Sequence, residues 1–261
     1  LNHTTNPDYI AVLEALVKHT TANKILTAFI PAFEAAIDKG DDCVWLHGSF
    51  NLGGTKSGRL SSSNPNLQNI PAGSIYGKLI KSCFVAPKGW MFCGADFNSL
   101  EDYISALTTR DPNKMKVYTD GYDGHCLRAF NYFPDLLPGI VDTVESINSI
   151  KDKFPDVRQL SKAPTFLLTY QGTNHGLQQN LGWDVETALR IEANYHELYS
   201  VSDEYVADKL KEASSTGYVE VAFGLRLRTP LLKKTIRGNR ATPFEAESEA
   251  RTAGNALGQS Y

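Results

Sequence analysis

Residues 58–71, GRLSSSNPNLQNIP, contain few of the residues that build regular helices or strands. The segment holds three serines, three asparagines, a glutamine, two prolines and one arginine, with Leu60, Leu67 and Ile70 as its apolar side chains. Polar side chains at this density need hydrogen-bond partners. We therefore expect an irregular segment whose side chains contact something other than the protein.

The composition is that of an ordinary globular protein. The chain has 261 residues, of which 42% are hydrophobic and 21% charged, which argues against intrinsic disorder. Its apolar runs, such as residues 166–168, are far shorter than the ~18 residues of a membrane span. The net charge of −3 argues against a protein that coats DNA indiscriminately.

The four cysteines, at positions 43, 83, 93 and 126, form no C-x-x-C pair. This spacing favours reduced thiols over a disulfide framework, and it gives no support to a zinc site.

Hydrophobic periodicity predicts an α+β fold in which strands flank a long helical insertion. The predicted elements are a helix over 8–39 with a break or a fresh start at Pro31, a strand over 43–50, two strands around a turn within 78–97, a helix over 99–109, helices over 113–215 with breaks near Gly121, 134–139 and Gly182, an alternating strand over 219–227, and a helix over 243–261.

One carboxylate lies near the end of the largely apolar run WMFCGADF, residues 90–97, and a second lies shortly after it. Asp96 ends the second predicted strand, and Glu101 lies five residues later in the first turn of a predicted helix. A carboxylate at a strand end suits a hard cation such as Mg²⁺. The commoner alternative is an aspartate that caps the following turn. Glu101 could share the metal or meet a substrate hydroxyl.

Arg158, Lys162, Phe166 and Tyr170 recur every four residues and therefore share one helical stripe. Two cations followed by two aromatic rings could bind a triphosphate and cover a base and sugar. The alternative is a helix with a solvated basic end and an aromatic end that packs in the core. Pro164 interrupts the stripe, and a kink is expected there.

Two further patterns indicate a function only in combination with that stripe. His125, in DGHCLRAF, could add a phosphate contact, although a lone histidine is more often structural. Arg251, Asn255 and Gln259 again step by four, which puts amide and guanidinium donors on one helix face.

Three motifs in this order resemble the DNA polymerase I family (family A), in a form like those of phages. They are GRLSSSNPNLQNIP, then ADFNSLE (95–101), then R-x₃-K-x₃-F-x₃-Y-x-G (158–172), and the resemblance spans roughly residues 40–261. It implies a right-hand polymerase palm (antiparallel sheet) with a large helical fingers insertion. The implied regions are 1–39 as the helical end of the thumb or connector, 40–110 as palm, 111–215 as fingers and 216–261 as the return to the palm.

The resemblance also implies roles for individual residues in nucleotidyl transfer with two Mg²⁺ ions. Asp96 is similar to the first catalytic aspartate, with the Phe97 carbonyl as a second metal contact, and Glu101 to the glutamate that excludes the ribose 2′-OH. The nucleotide-binding residues are expected to be Arg158, Lys162, Phe166, Tyr170 and His125, with Lys162 also a candidate acid for the departing pyrophosphate. The DNA contacts are expected to be Arg59, Asn66, Gln68, Asn69, Arg251, Asn255 and Gln259.

The implied partners are primer–template DNA and a dNTP, in the cytoplasm of a phage-infected bacterial host. DNA would supply the hydrogen-bond partners that the polar side chains of residues 58–71 need, through its backbone and minor groove. Minor-groove contacts of this kind would sense correct base pairing without reading the sequence.

The sequence departs from the family pattern in three places, one of which is Pro164, a departure from the bacterial pattern. It lacks the His-Asp-Glu motif that supplies the family's second catalytic aspartate, and residues 102–103 are Asp-Tyr where the family usually has Leu-Arg. We expect a palm–fingers portion that needs a further C-terminal palm segment or a partner chain, and that has little activity alone.

Two alternatives remain at this point. A single-subunit RNA polymerase relative is opposed by Glu101, and a non-catalytic DNA-binding or processivity subunit is opposed by the complete nucleotide stripe.

Overall fold

The computed structural model describes residues 4–40, 43–71, 75–234 and 243–260. Two compact units meet in the sequence between Phe97 and Asn98. The architecture is mostly helical with small antiparallel sheets, as the α+β prediction requires. None of the helices in these ranges is long and apolar enough to cross a membrane.

The first unit begins with a long helical segment. Asn6 caps it by accepting hydrogen bonds from the Asp8 and Tyr9 amides at 2.9 and 3.4 Å. The segment comprises α1 (Pro7–Lys24), a π-helical turn (Ile25–Phe29) and α2 (Ile30–Glu34). Pro31 was predicted to mark a break or a fresh start of the helix, and α2 does start at Ile30, with Pro31 in its first turn directly after the π turn.

Two small hairpins follow, where the sequence predicted more helix and then a single strand. β1 (Ile37–Asp38) pairs with β2 (Val44–Trp45), and β3 (Ser49–Asn51) pairs with β4 (Ser61–Ser63), both antiparallel. The helix predicted to residue 39 therefore ends earlier. The strand predicted over 43–50 is divided between two different sheets.

The helix α3 (Ile75–Ser82) completes the first unit and corrects the prediction of two strands within 78–97. Ile80 packs with Ile25 and Phe29, so the apolar residues follow a helical period rather than a strand period. Residues 90–97 have no regular structure and are exposed. A strand requires a hydrogen-bonded neighbour, and none of the strand pairs found in the described ranges includes this run.

The second unit is helical almost throughout, as predicted for residues 99–109 and 113–215. Its helices up to the hairpin are α4 (Leu100–Thr109), α5 (Pro112–Thr119), α6 (Gly124–Tyr132), α7 (Val144–Asn148), α8 (Ile150–Lys153), α9 (Pro155–Leu160), α10 (Lys162–Thr169), α11 (Asn174–Leu181), α12 (Val185–Leu198) and α13 (Ser200–Thr216).

Aspartate caps set several of these helix starts. Asp111, Asp123 and Asp184 each accept backbone N–H bonds at the first turn of α5, α6 and α12. The predicted breaks near Gly121 and Gly182 coincide with positive φ angles of 81° and 70°, which glycine adopts without steric cost.

The alternating segment 219–227 is a hairpin, not one strand. β5 (Tyr218–Glu220) pairs with β6 (Arg226–Arg228) around a turn in which Phe223 and Gly224 both have positive φ. Such two-residue turns fit the natural twist of a hairpin. The turn leaves Phe223 99% exposed.

The second unit ends with α14 (Pro230–Lys234) and α15 (Phe244–Gln259). Leu210, Val219, Leu232 and Ala253 form a common core from α13, β5, α14 and α15. The helix predicted over 243–261 is therefore found, although Tyr261, its predicted last residue, lies outside the described residues.

Candidate functional site

The predicted stripe of four residues spans two helices rather than one. Arg158 lies in α9, Lys162 opens α10, and Tyr170 follows the last residue of α10. The helix breaks at Ser161, not at Pro164. Pro164 has no N–H for the Leu160 carbonyl, four residues earlier, and α9 ends at that residue.

Asp123 holds the guanidinium of Arg158. Nε and Nη2 of Arg158 lie 3.3 and 2.9 Å from the two carboxylate oxygens of Asp123. About a quarter of each side chain is exposed. The same carboxylate accepts the His125 and Cys126 amides at 3.0 Å, so one residue caps α6 and orients Arg158.

His125 lies in the first turn of α6, and its carbonyl accepts a 3.1 Å bond from Ser161 Oγ. Its Nδ1 is buried and has no hydrogen-bond partner. Burial, reinforced by the charges of Arg128, Arg158 and Lys162, lowers the pKa of His125 to about 4. The imidazole is therefore neutral near pH 7 and faces a cationic surrounding that attracts anions.

Phe166 and Tyr170 form the aromatic end of the stripe. Their ring centroids lie 4.8 Å apart in an edge-to-face arrangement, and Phe166 is 67% exposed. The alternative of an aromatic end that packs in the core does not describe Phe166. An exposed ring of this size can cover an apolar ligand face such as a sugar or base.

Glu101 in α4 accepts a hydrogen bond from the Tyr170 hydroxyl. Both residues line a cavity of about 70 Å³, together with Gln171, Gly254 and Asn255. The structure thus brings Glu101 to the end of the stripe, as expected if both act on one ligand. Asn255 Oδ1 is buried and has no hydrogen-bond partner.

The three residues predicted on the last helix share α15 but differ in exposure. Arg251 is exposed, whereas Asn255 and Gln259 are half-buried. Gly254 of α15 lies beside Gln171, and a Cβ at residue 254 would lie 3.4 Å from the Gln171 side chain, which is an ordinary van der Waals contact.

Asp96 and Phe97 lie in the first unit, outside any strand, and both are exposed. Within the described ranges, the His, Cys, Asp and Glu side chains form no group of three or more that could hold a metal ion. The described residues therefore do not fit a complete two-metal site, since Asp96 contributes one carboxylate.

The segment 58–71 carries more order than its composition predicted. Ser62 Oγ, in β4, accepts the Leu67 amide at 3.1 Å, and Asn66 Oδ1 accepts the Gln68 amide at 3.1 Å, opening a short 3₁₀ turn over Leu67–Asn69. Asn66 is half-buried by this turn, whereas Arg59, Gln68 and Asn69 are exposed.

The sequence does not reveal the role of Asp123 or the partners of Asp102. An aspartate before Gly124 at a helix start is a recognisable cap, but its bond to Arg158 spans 35 residues and leaves no local signal. Asp102 forms an ion pair with Arg128 at 2.7 Å, which gives a structural reason for the departure at residue 102.

Three comparisons with known proteins bear on these observations. The sequence model of DNA polymerase family A matches residues 3–260. The thermostable DNA polymerase I of Thermus filiformis is 34% identical over 195 residues, which are 75% of this chain and 22% of that protein. The thermostable DNA polymerase I of Thermus aquaticus is 31% identical over 238 residues, covering 88% of this chain and 27% of that protein.

Among solved structures, the POL domain of Pol1 from M. smegmatis, in complex with DNA primer-template and dNTP, superposes with a TM-score of 0.75 and 25% identity. The superposition covers 98% of the present chain and 43% of the M. smegmatis chain. The chain spans about a quarter of the length of the two Thermus relatives. Because the family model matches nearly the whole chain, the chain belongs to DNA polymerase family A.

Proposed function

We propose that this chain is the palm–fingers portion of a DNA-templated DNA polymerase that transfers dNTPs to a primer 3′-OH. The observation that carries the proposal is the surface formed by Arg158, Lys162, Phe166 and Tyr170, with Glu101 bonded to Tyr170. In this proposal the two cations would bind the triphosphate, the exposed ring would lie against the sugar, and the carboxylate would lie near the 2′ position.

In this proposal the fingers comprise residues 111–215. The end of the thumb comprises residues 1–39, the palm residues 40–110, and the return to the palm residues 216–261. Lys162 opens α10 beside His125 and Arg158, where cations would neutralise a triphosphate. Lys162 would also protonate the departing pyrophosphate. Closure of such a surface on a nucleotide would align the reactants and exclude water.

Glu101 and Phe166 would select the sugar. A carboxylate held near the 2′ position leaves no room for a ribose hydroxyl, and the exposed Phe166 ring would lie against the sugar. The DNA contacts would be Arg59, Asn66, Gln68 and Asn69 in the first unit and Arg251, Asn255 and Gln259 in the second.

Polymerases of family A generally use divalent metal ions. We propose Mg²⁺ for the parent enzyme, with Asp96 and the Phe97 carbonyl as hard oxygen ligands. Since the described residues do not form a group of three ligands, the remaining carboxylates would come from a further palm segment or from a partner chain.

Primer extension by the 261-residue chain, with Mg²⁺ and with Mn²⁺, tests this proposal against an Asp96→Ala variant. Extension that Asp96→Ala abolishes would support the function and show that this chain completes its own metal site. No extension, with dNTP-dependent primer–template binding retained, would support the need for further ligands.

A second candidate function is a non-catalytic DNA-binding or processivity subunit with a degenerate polymerase fold. The lack of a three-ligand metal group among the described residues favours it. Primer–template binding that is insensitive to dNTP would select this candidate over the polymerase.

A further inference from the structure

Asp102 and Arg128 form an ion pair that is mostly removed from solvent. Arg128 Nη2 lies 2.7 Å from Asp102 Oδ1, and the two side chains are 7% and 24% exposed. Asp102 is the neighbour of Glu101 on α4, and Arg128 lies one turn after His125 on α6. The pair therefore joins the helix of the sugar-selecting carboxylate to the helix of the phosphate site.

Two tyrosines complete the hydrogen bonds of the pair. The Tyr118 hydroxyl donates to Asp102 Oδ2 at 3.1 Å, and Arg128 Nε donates to the Tyr199 hydroxyl at 2.8 Å. Burial alone would raise the pKa of Asp102, but the nearby Arg128 and Lys114 charges outweigh it and lower that pKa. The carboxylate thus remains charged and keeps both bonds near pH 7.

A second link fixes α4 one turn further on. Lys114 on α5 is buried and donates a 2.7 Å hydrogen bond to Ser105 Oγ on α4. Its ammonium also lies 5.0 Å from the ring centroid of Tyr199. Asp102 and Ser105 are three residues apart and therefore share one face of α4.

Anchoring that face fixes the rotation of α4 about its own axis. Consecutive residues on an α-helix differ in direction by about 100°. With Asp102 and Ser105 held from α5 and α6, the direction of Glu101 is set, and its carboxylate meets the Tyr170 hydroxyl. Without the ion pair, Asp102 would keep only the bond from Tyr118 on α5, and the link at residue 102 from α4 to α6 would be lost.

We propose that Asp102 and Arg128 are positioning residues for sugar selection, which keep Glu101 at Tyr170 by locking α4 to α6. The inference rests on the proposed function, because it assigns to this pair part of the discrimination between deoxyribonucleotides and ribonucleotides. Neither residue touches the nucleotide in this account.

The test measures kcat/KM for dNTP and rNTP incorporation by the complete polymerase that contains this chain. Arg128→Met and the double variant Asp102→Leu/Arg128→Met both remove the pair. The double variant removes both of its charges together, and the buried Lys114 keeps Asp111 as a neighbouring carboxylate. We expect the dNTP/rNTP ratio to fall between about 2-fold and 30-fold in both, in the range of mutations that act through another residue. A purely structural loss would lower both substrates equally and leave the ratio unchanged.

Glu192→Gln is the matched control. Glu192 accepts half-buried bonds from the backbone and side-chain nitrogens of Asn174 at 2.9 and 2.8 Å, between α11 and α12. Its loss weakens the second unit without touching α4, so the ratio should stay at the wild-type value. If the charge variants fail to fold, Tyr118→Phe removes only the 3.1 Å bond to Asp102 and should lower the ratio by a smaller factor.

Glu101→Ala in the same assay distinguishes a failure of the positioning inference from a failure of the proposed function. If Glu101→Ala lowers the ratio and every variant of the pair leaves it unchanged, the positioning inference is wrong and the proposed function stands. If the wild-type polymerase incorporates neither substrate, the proposed function and the inference both fail.

Discussion

The double role of Asp123 gives a quantitative prediction for Asp123→Ala. The carboxylate accepts two backbone bonds of 3.0 Å at the start of α6 and two bonds from the guanidinium of Arg158. Loss of a cap costs about 1 kcal/mol. The ion pair is a quarter exposed and therefore screened by water, so its loss costs about 1 kcal/mol more.

The free energy of unfolding should therefore fall by about 2 kcal/mol, which lowers Tm by about 4–8 °C. Asp123→Asn retains a capping oxygen and loses only the ion pair, so about half of that decrease is expected. The folded-state pKa of Asp123 is lowered, because the bonds from Arg158 and the Cys126 amide outweigh the effect of burial. The stabilisation is thus present above pH ~4 and is lost as the pH falls through the folded pKa, where wild type and variant should converge.

Thermal unfolding followed by circular dichroism measures these differences at several pH values and salt concentrations. Asp184, which caps α12 through Thr187, is the matched control. Asp184→Ala should lower Tm by less than Asp123→Ala, and Asp184→Asn should have little effect. The reasoning is wrong if Asp123→Asn unfolds at the wild-type temperature, since the ion pair would then contribute nothing.

Three further predictions concern the nucleotide surface. Glu101→Ala in the complete polymerase should raise ribonucleotide incorporation by at least about tenfold, and an unchanged rate would remove the assignment of Glu101 as the sugar-selecting carboxylate. Phe166→Tyr should reduce discrimination against dideoxynucleotides, because the added hydroxyl can replace the missing 3′-OH contact; chain-termination assays at matched dNTP and ddNTP concentrations measure this ratio. His125 should titrate near pH 4 in the free chain, and its pKa should rise when a triphosphate binds, because the phosphate charge favours the imidazolium. NMR of the imidazole resonances with and without dNTP checks the direction, and a pKa unaffected by dNTP would place His125 away from the phosphates.

The helical second unit was predictable from sequence because its signals are local. Asp111, Asp123 and Asp184 occupy helix starts, and Gly121 and Gly182 occupy breaks. The hairpin over 218–228 was missed because its alternation continues through the turn, where a phenylalanine occupies a positive-φ position that usually takes asparagine or glycine.

The strand prediction for residues 90–97 failed for a different physical reason. An apolar run becomes a strand only beside another strand, and the sequence of the run does not say whether a partner is present. Asp96 therefore still lies in the motif ADFNSLE, but it does not lie at the end of a strand, as the prediction required.

The candidate site was predictable at the level of residue types but not of partners. Steps of four placed Arg158, Lys162, Phe166 and Tyr170 on one stripe. Two hydrogen bonds orient the stripe, one donated by Arg158 to Asp123 and one donated by Tyr170 to Glu101, and they join residues 35 and 69 positions apart. Family membership is confirmed, whereas the phage type and the individual residue roles remain predictions.

The most direct test of the account is chemical labelling of Lys162 in the presence of primer–template DNA. An amine-reactive reagent followed by mass spectrometry reports the reactivity of each lysine, with the exposed Lys151 and Lys153 on α8 as internal controls. Saturating dNTP should lower the reactivity of Lys162 and leave the reactivity of both control lysines unchanged. Arg158→Ala should weaken this protection. If the reactivity of Lys162 is the same with saturating dNTP as without it, this surface does not bind the triphosphate, and the central claim is contradicted.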